Sequence, residues 1–216
     1  MIILVTGTSM GIGKAIAEKF LSEGHCVYGI DRLNSSINHH NYIHYICDVR
    51  DKENYPDLPS SADIIINNAG TQNEDDIEIN LKGAINITEH YITSTIKSVL
   101  MIGSASAHTG AEFPEYAASK GGLLSYTKNV AMRIAEYGAT CNSLDPGGVL
   151  TDLNKSVIED KECWDKIMEL TPLKRWATPE EIAEWAYFLT VIQSFMTAQN
   201  LLVDGGEAAK FSFIWK

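Results

Sequence analysis

Apolar, β-branched runs alternate with stretches of helical periodicity along the whole chain. The runs predict strands at about 2–6, 25–30, 42–47, 63–67, 98–104, 140–144 and 200–203; the periodic stretches predict helices near 11–23, 75–96, 114–137, 152–169 and 178–192. Such alternation is the signature of a parallel sheet covered by helices on both faces. The last helix has the clearest boundary, because Thr178-Pro179-Glu180-Glu181 reads as cap, first-turn proline and acidic first turn. Asn34–Asn41 and Asp51–Ala62 are the most loop-like segments, and neither is long enough to link two domains.

Directly after the first strand comes Thr6-Gly7-Thr8-Ser9-Met10-Gly11-Ile12-Gly13-Lys14, running into a helix. Glycines at a strand-to-helix turn let the backbone approach a pyrophosphate, and the helix N-terminus supplies N–H groups to hold it. The spacing Gly-x-x-x-Gly-x-Gly departs from the commoner dinucleotide fingerprint and lacks the Lys-Ser/Thr ending of a P-loop. The fold expected is therefore α/β, a single Rossmann-type doubly wound domain spanning 1–216, with about seven parallel strands. Asp31 follows the second strand, about 18 residues beyond Gly13, near the offset at which a carboxylate takes the adenosine ribose and repels a 2′-phosphate. NAD is thus expected over NADP, although the neighbouring Arg32 would suit the phosphate. Asp48-Val49, ending the third strand, is a candidate flank for adenine or a plain turn.

Tyr116 and Lys120 lie four apart on the helix opened by Pro114, which places them on one face. A lysine ammonium close to a phenol favours the phenolate and brings its titration down towards neutrality, so the pair is a candidate acid/base unit. Asn67-Asn68-Ala69-Gly70 ends the fourth strand, where ligands sit in open α/β sheets. Ser104 follows the fifth strand, and Asn80 falls early in the helix after the fourth.

Taken together, Thr6-Gly7 through Gly11-Ile12-Gly13, Asn67-Asn68-Ala69-Gly70, Asn80, Ser104, Tyr116 with Lys120, Pro146-Gly147 with Thr151, and Val203-Asp204-Gly205-Gly206 resemble the short-chain dehydrogenase/reductase family, its 3-oxoacyl reductases in particular. The resemblance covers nearly the whole chain in order. It implies a catalytic set of Asn80, Ser104, Tyr116 and Lys120: the tyrosine moves the proton of the substrate oxygen, the serine steadies that oxygen, the lysine binds the nicotinamide ribose, and the asparagine holds a relay water. Cofactor contacts are expected from Gly7, Ser9, Met10, Gly11, Ile12, Gly13, Asp31, Asp48, Val49, Asn68, Ala69, Gly70, Tyr116, Lys120, Pro146, Gly147, Val149 and Thr151. It implies, with the long helices, a homotetramer or dimer. Departures accompany the match: the span from Ser104 to Tyr116 is one residue short, which leaves Ser106 as a stand-in. Little room remains for a helix between Asp48 and Asp63, the stretch between Gly70 and Asn80 is cut back, and Ala139-Thr140-Cys141-Asn142 replaces a more usual Ile-Arg-Val-Asn. His108, Glu112 and Phe113 are expected to touch substrate, because their loop must pass the reacting carbon.

Charge and cysteine content narrow the alternatives. A net charge of −11 with dispersed Lys and Arg argues against a nucleic acid or a membrane surface as partner. Four scattered cysteines form no Cys-x-x-Cys pair, and the chain starts without a basic, apolar leader, so a cytoplasmic protein with neither disulfide framework nor zinc is expected. His39, His40 and His44 read as loop and strand-edge residues, with no metal ligand set. Gly103-Ser104-Ala105-Ser106-Ala107 is no hydrolase elbow. Two functions fit: an NAD(P)-dependent oxidoreductase acting on a secondary alcohol or ketone, with a 3-hydroxyacyl or 3-oxoacyl compound as one substrate, and a non-catalytic NAD(H)-sensing regulator or scaffold of the same fold. The apolar tail Phe211–Trp215 is expected to cover a neighbouring subunit or the chain's own cleft.

Overall fold

The computed structural model describes residues 1–111 and 113–209; Glu112 and the Phe211–Trp215 tail, both singled out above, lie outside the described residues. Seven parallel strands form one sheet in the order β3-β2-β1-β4-β5-β6-β7. They are β1 (Ile2–Thr6), β2 (Cys26–Asp31), β3 (Tyr42–Ile46), β4 (Ile64–Asn67), β5 (Ser98–Ile102), β6 (Thr140–Pro146) and β7 (Asn200–Val203). The order reverses between β1 and β4, which opens a crevice at their carboxyl ends.

The strict alternation of side chains along each strand builds two cores. Leu4, Tyr28, Ile30, Ile65, Val99 and Met101 face one side, where Ile87 of α2 (Ala84–Tyr91) and Leu123, Val130 and Ile134 of α4 (Pro114–Ile134) cover them. Ile3, Val5, Val27, Ile64, Ile66, Leu100 and Leu144 face the other, under Ile16 and Phe20 of α1 (Gly11–Ser22) and Ile182 and Leu189 of the last helical segment. Burial on both faces explains why β1, β4 and β5 read as continuous apolar runs. Strand β3 is the exception. On the face it shares with Val27, where the 32–41 connection forms no helix, Ile46 stays 64% exposed.

Three expected helices are shorter or divided. The helix expected at 75–96 begins as a π-helical stretch, Ile77–Gly83, continues as α2 and stops at Tyr91, because the following Ile-Thr-Ser-Thr run disfavours helix. The helix expected at 152–169 is a 3-10 turn and two pieces, α5 (Lys155–Glu159) and α6 (Lys161–Leu170). Asp160 makes the break by capping α6, its carboxylate accepting from Glu162 N and Cys163 N. The helix expected at 178–192 holds as α7 (Pro179–Tyr187) with a full capping box from Thr178 and Glu181, then turns π-helical over Phe188–Ile192. Strand β5 stops at Ile102, so Ser104 stands just beyond it, before the short helix α3 (Ser106–Thr109).

Candidate active site

The crevice at the carboxyl edge is a cleft of about 1040 Å³. At its floor the strand ends are tied together by Thr6. The Thr6 hydroxyl accepts from both Asn68 N and Ala69 N at 3.0 Å, while the Asn68 amide donates to Thr6 O and Gly7 O. Gly7 has φ +76° and a Cβ there would stand 2.9 Å from Ala69 Cα, so only glycine turns the chain this close to β4. The helix that follows has neither a side-chain cap nor an acid in its first turn. Its first N–H groups are left without an intrahelical partner, and Gly11 and Ile12 line the cleft there. That arrangement fits a dinucleotide pyrophosphate.

Gly13 does not line the cleft. A Cβ on it would meet Gly7 O at 2.0 Å, so its smallness serves the packing of α1 under the turn. Ser9 also stays off the cleft wall: its N–H donates to Asp31 Oδ2 and its hydroxyl to Leu33 O. Asp31 lines the cleft with Arg32 and Leu33, and the Asp31 carboxylate also accepts from Leu33 N. Farther along, Asp48 and Val49 stand beside Cys47. The Arg50 guanidinium grips Asp48 through Nε and Nη2, at 3.0 and 2.7 Å, and reaches Asp75 with Nη1. That cation holds the Asp48 carboxyl below the usual carboxylate range. Arg50 carries no sequence signal of this role, because Asp75 lies 25 residues away along the chain.

On the other side of the switch point, Tyr116, Lys120, Ser104 and Gly70 line the cleft together. Lys120 is 5% exposed; its Nζ donates to Ile102 O at 3.0 Å and lies 5.7 Å from the centre of the Tyr116 ring. The backbone N–H of Ser106 donates to Ser104 Oγ, which fixes the serine that precedes α3. Asn80 sits behind this wall and does not line the cleft. Its side-chain oxygen accepts from Thr71 N and its amide donates to Thr71 O and Ser119 Oγ, so both ends are committed to holding the 71–80 segment against α4. Pro146 at the end of β6, and Gly147, Val149 and Thr151 after it, line the cleft. Trp176 joins them, its indole edge so close to Gly148 that a Cβ there would meet it at 2.0 Å.

From the loop between Ser104 and α4, Thr109 and Ala111 line the cleft, but His108 and Phe113 do not. Phe113 is the exposed residue preceding α4. His108 Nε2 instead meets Asp145 Oδ2 at 2.7 Å. Asp145 is fully buried on β6, and its other oxygen abuts Gly103. Burial pushes the Asp145 carboxyl up, and the hydrogen bond from His108 opposes that rise. Sequence reasoning missed this carboxylate, since an aspartate before Pro-Gly reads as a turn residue. Ser106, the candidate stand-in, is buried beside Ser104 with its hydroxyl unpaired. Among the described residues no cluster of His, Cys, Asp or Glu could hold a metal ion, and no helix is long and apolar enough to cross a membrane.

Residues 7–207 match the family profile described as enoyl-(acyl carrier protein) reductase. A curated relative, the 3-oxoacyl-acyl-carrier-protein reductase of Buchnera aphidicola (subsp. Acyrthosiphon pisum), is 30% identical over 234 aligned residues, covering 94% of this chain and 95% of the relative. The NAD-dependent glycerol dehydrogenase of Listeria innocua is also 30% identical, covering 96% and 93%. Among solved structures, a short chain dehydrogenase family protein from Francisella tularensis superposes with a TM-score of 0.84 at 29% identity, covering 97% of this chain and 99% of that one.

The His108–Asp145 pair generates a pH-dependent expectation. An acid whose folded-state pKa is raised contributes stability that is fully present below its unfolded pKa and lost as pH rises through the folded one. His108→Ala removes the opposing donor and raises Asp145 further, so its destabilisation, about 1–3 kcal/mol at pH 7, should shrink as pH falls to about 4. Denaturant melts of His108→Ala at both pH values check this; equal losses at the two would contradict it.

Proposed function

This chain belongs to the short-chain dehydrogenase/reductase family and is an NAD(P)-dependent oxidoreductase, and from that premise we propose that it moves hydride between NAD(H) and a secondary alcohol or its ketone, with Asn80, Ser104, Tyr116 and Lys120 as the working set. The observation that carries the reading is the buried Lys120 ammonium beside the Tyr116 ring at the wall of the cleft. Bound NAD(H) supplies the hydride acceptor or donor at its nicotinamide ring. Tyr116 takes the hydroxyl proton in oxidation and returns it in reduction. Lys120, next to it, favours the anionic phenol oxygen in one direction and steadies it in the other. Ser104, held by Ser106 N, donates to the substrate oxygen and orients the carbon. Asn80 supports the wall behind Lys120: its side-chain oxygen comes within 3.1 Å of where a Gly70 Cβ would stand, and Lys120 Nζ within 3.5 Å of the same point.

NAD is the proposed cofactor over NADP because Asp31 stands at the end of β2 on the cleft wall. A 3-hydroxyacyl or 3-oxoacyl compound is the proposed substrate, supported by the reductase among the relatives. Ile167, Leu170 and Trp176 give the substrate end an apolar side suited to an acyl chain. The remaining proposals are a cytoplasmic location and a homotetramer or dimer. Light scattering at micromolar concentration should give two or four times the mass of one chain; a single-chain mass would contradict it.

Tyr116→Phe keeps the ring and removes the proton carrier. Turnover should fall by about 100-fold or more, while NADH affinity, read by fluorescence titration, stays near wild type. Unchanged turnover would remove Tyr116 from the chemistry.

A further inference from the structure

Asp31 and Arg32 are neighbours on the cleft wall with opposite preferences, one for a ribose 2′-hydroxyl and the other for a 2′-phosphate. Which of them meets the adenosine end depends on how the turn over residues 31–33 is held. Apolar packing does not hold it: Arg32 is exposed, Leu33 is 44% exposed, and residues 34–39 form no helix or strand. Hydrogen bonds do. Leu33 O accepts from Ser9 Oγ at 3.0 Å and from His44 Nε2 at 2.8 Å, and Leu33 N donates to Asp31 Oδ1 at 2.9 Å. Because a carbonyl only accepts, His44 Nε2 carries the hydrogen. On its far side, His44 Nδ1 is 2.9 Å from Tyr42 Oη, which is 2.9 Å from Thr8 Oγ1. Thr8 is wholly buried in the glycine-rich turn. A continuous chain therefore runs Thr8–Tyr42–His44–Leu33, from the phosphate cradle through the edge strand β3 to the ribose turn. Gly29 on β2 makes room for it, since a Cβ there would stand 2.3 Å from Tyr42 Oη and 2.5 Å from Thr8 Oγ1.

We propose that Tyr42 and His44 are positioning residues that set the cofactor preference, by pinning the 31–33 turn so that Asp31 rather than Arg32 meets the adenosine ribose. The inference rests on the NAD reading above and adds the means by which it is enforced. The Asp31 carboxylate has about four lone-pair sites. Two are taken by Ser9 N and Leu33 N, one on each oxygen. The remaining two are what a ribose diol needs, and Leu33, with Ser9, sets their direction. Released from His44, the turn can rotate, blunting the carboxylate and letting the guanidinium reach a 2′-phosphate.

The test uses the whole chain, with NADH and NADPH affinities from fluorescence titration, and turnover at saturating cofactor. Tyr42→Phe removes one hydroxyl, and His44→Leu removes the donor with similar bulk. Each should weaken NADH binding about three- to tenfold and NADPH binding less, lowering the NADPH-to-NADH ratio of dissociation constants. The double variant should lose no more than the stronger single one, as expected of groups acting in one chain. An unchanged ratio in both single variants would overturn the proposal, as would an equal loss for both cofactors, the mark of a merely structural role. Asp31→Ala separates the two levels. If it collapses the ratio while the Tyr42 and His44 variants leave it alone, only the positioning role fails; if it too leaves the ratio alone, the NAD reading fails and the positioning role with it.

Discussion

A lysine ammonium almost shut away from water is hard to keep, because removing a cation from solvent carries a penalty that only close oxygen and π partners can offset. Lys120 meets that demand with the carbonyl of Ile102, left over at the end of β5, and with the face of Tyr116 one helical turn before it. Much of the neighbouring structure follows from this. Helix α4 must lie close against the sheet, which Leu123, Val130 and Ile134 ensure. Gly122 lets α4 approach the Ile77–Gly83 stretch as well, because a Cβ there would meet Leu81 Cδ2 at 2.7 Å. The 71–80 segment must close behind the ammonium, which the doubly bonded Asn80 side chain accomplishes.

The end of the cleft proposed for adenosine obeys a different logic. There the backbone itself would be the binding surface, so it has to be rigid without side chains filling it. Thr6, Asn68 and the tight approach of Gly7 and Gly13 give that rigidity at the pyrophosphate turn. At the ribose turn, with no packing to rely on, the same result comes from hydrogen bonds that converge on Leu33. One half of the cleft is thus built to hold a charge and the other to hold a shape.

Much of this was legible in the sequence because it rests on local constraints. Periodicity gave all seven strands within a few residues, and the glycine spacing marked the tight turn between β1 and α1. Tyr116 and Lys120 share a face because a helix puts residues four apart there. What the sequence hid depends on chain segments far apart in number. Arg50 matters only beside Asp75, His108 only beside Asp145, and His44 only because β3 pairs with β2 and brings it to Leu33. His44 is the strand-edge histidine its sequence suggests, but its partner Leu33, like the burial of Gly13, is a tertiary property that no local pattern carries. The divided helix at Asp160 was missed for a local reason: an N-cap inside an amphipathic stretch does not break the apolar pattern.

The central claim is that the Tyr116–Lys120 pair and the nucleotide cradle serve one bound dinucleotide. A crystal structure of the chain with NADH tests it most directly. The account predicts the pyrophosphate over Gly11 and Ile12, the adenosine ribose on Asp31, and the reactive ring beside Tyr116 with Lys120 on its ribose. A dinucleotide bound with that ring away from Tyr116, or with the Lys120 ammonium turned from the ribose, would contradict it.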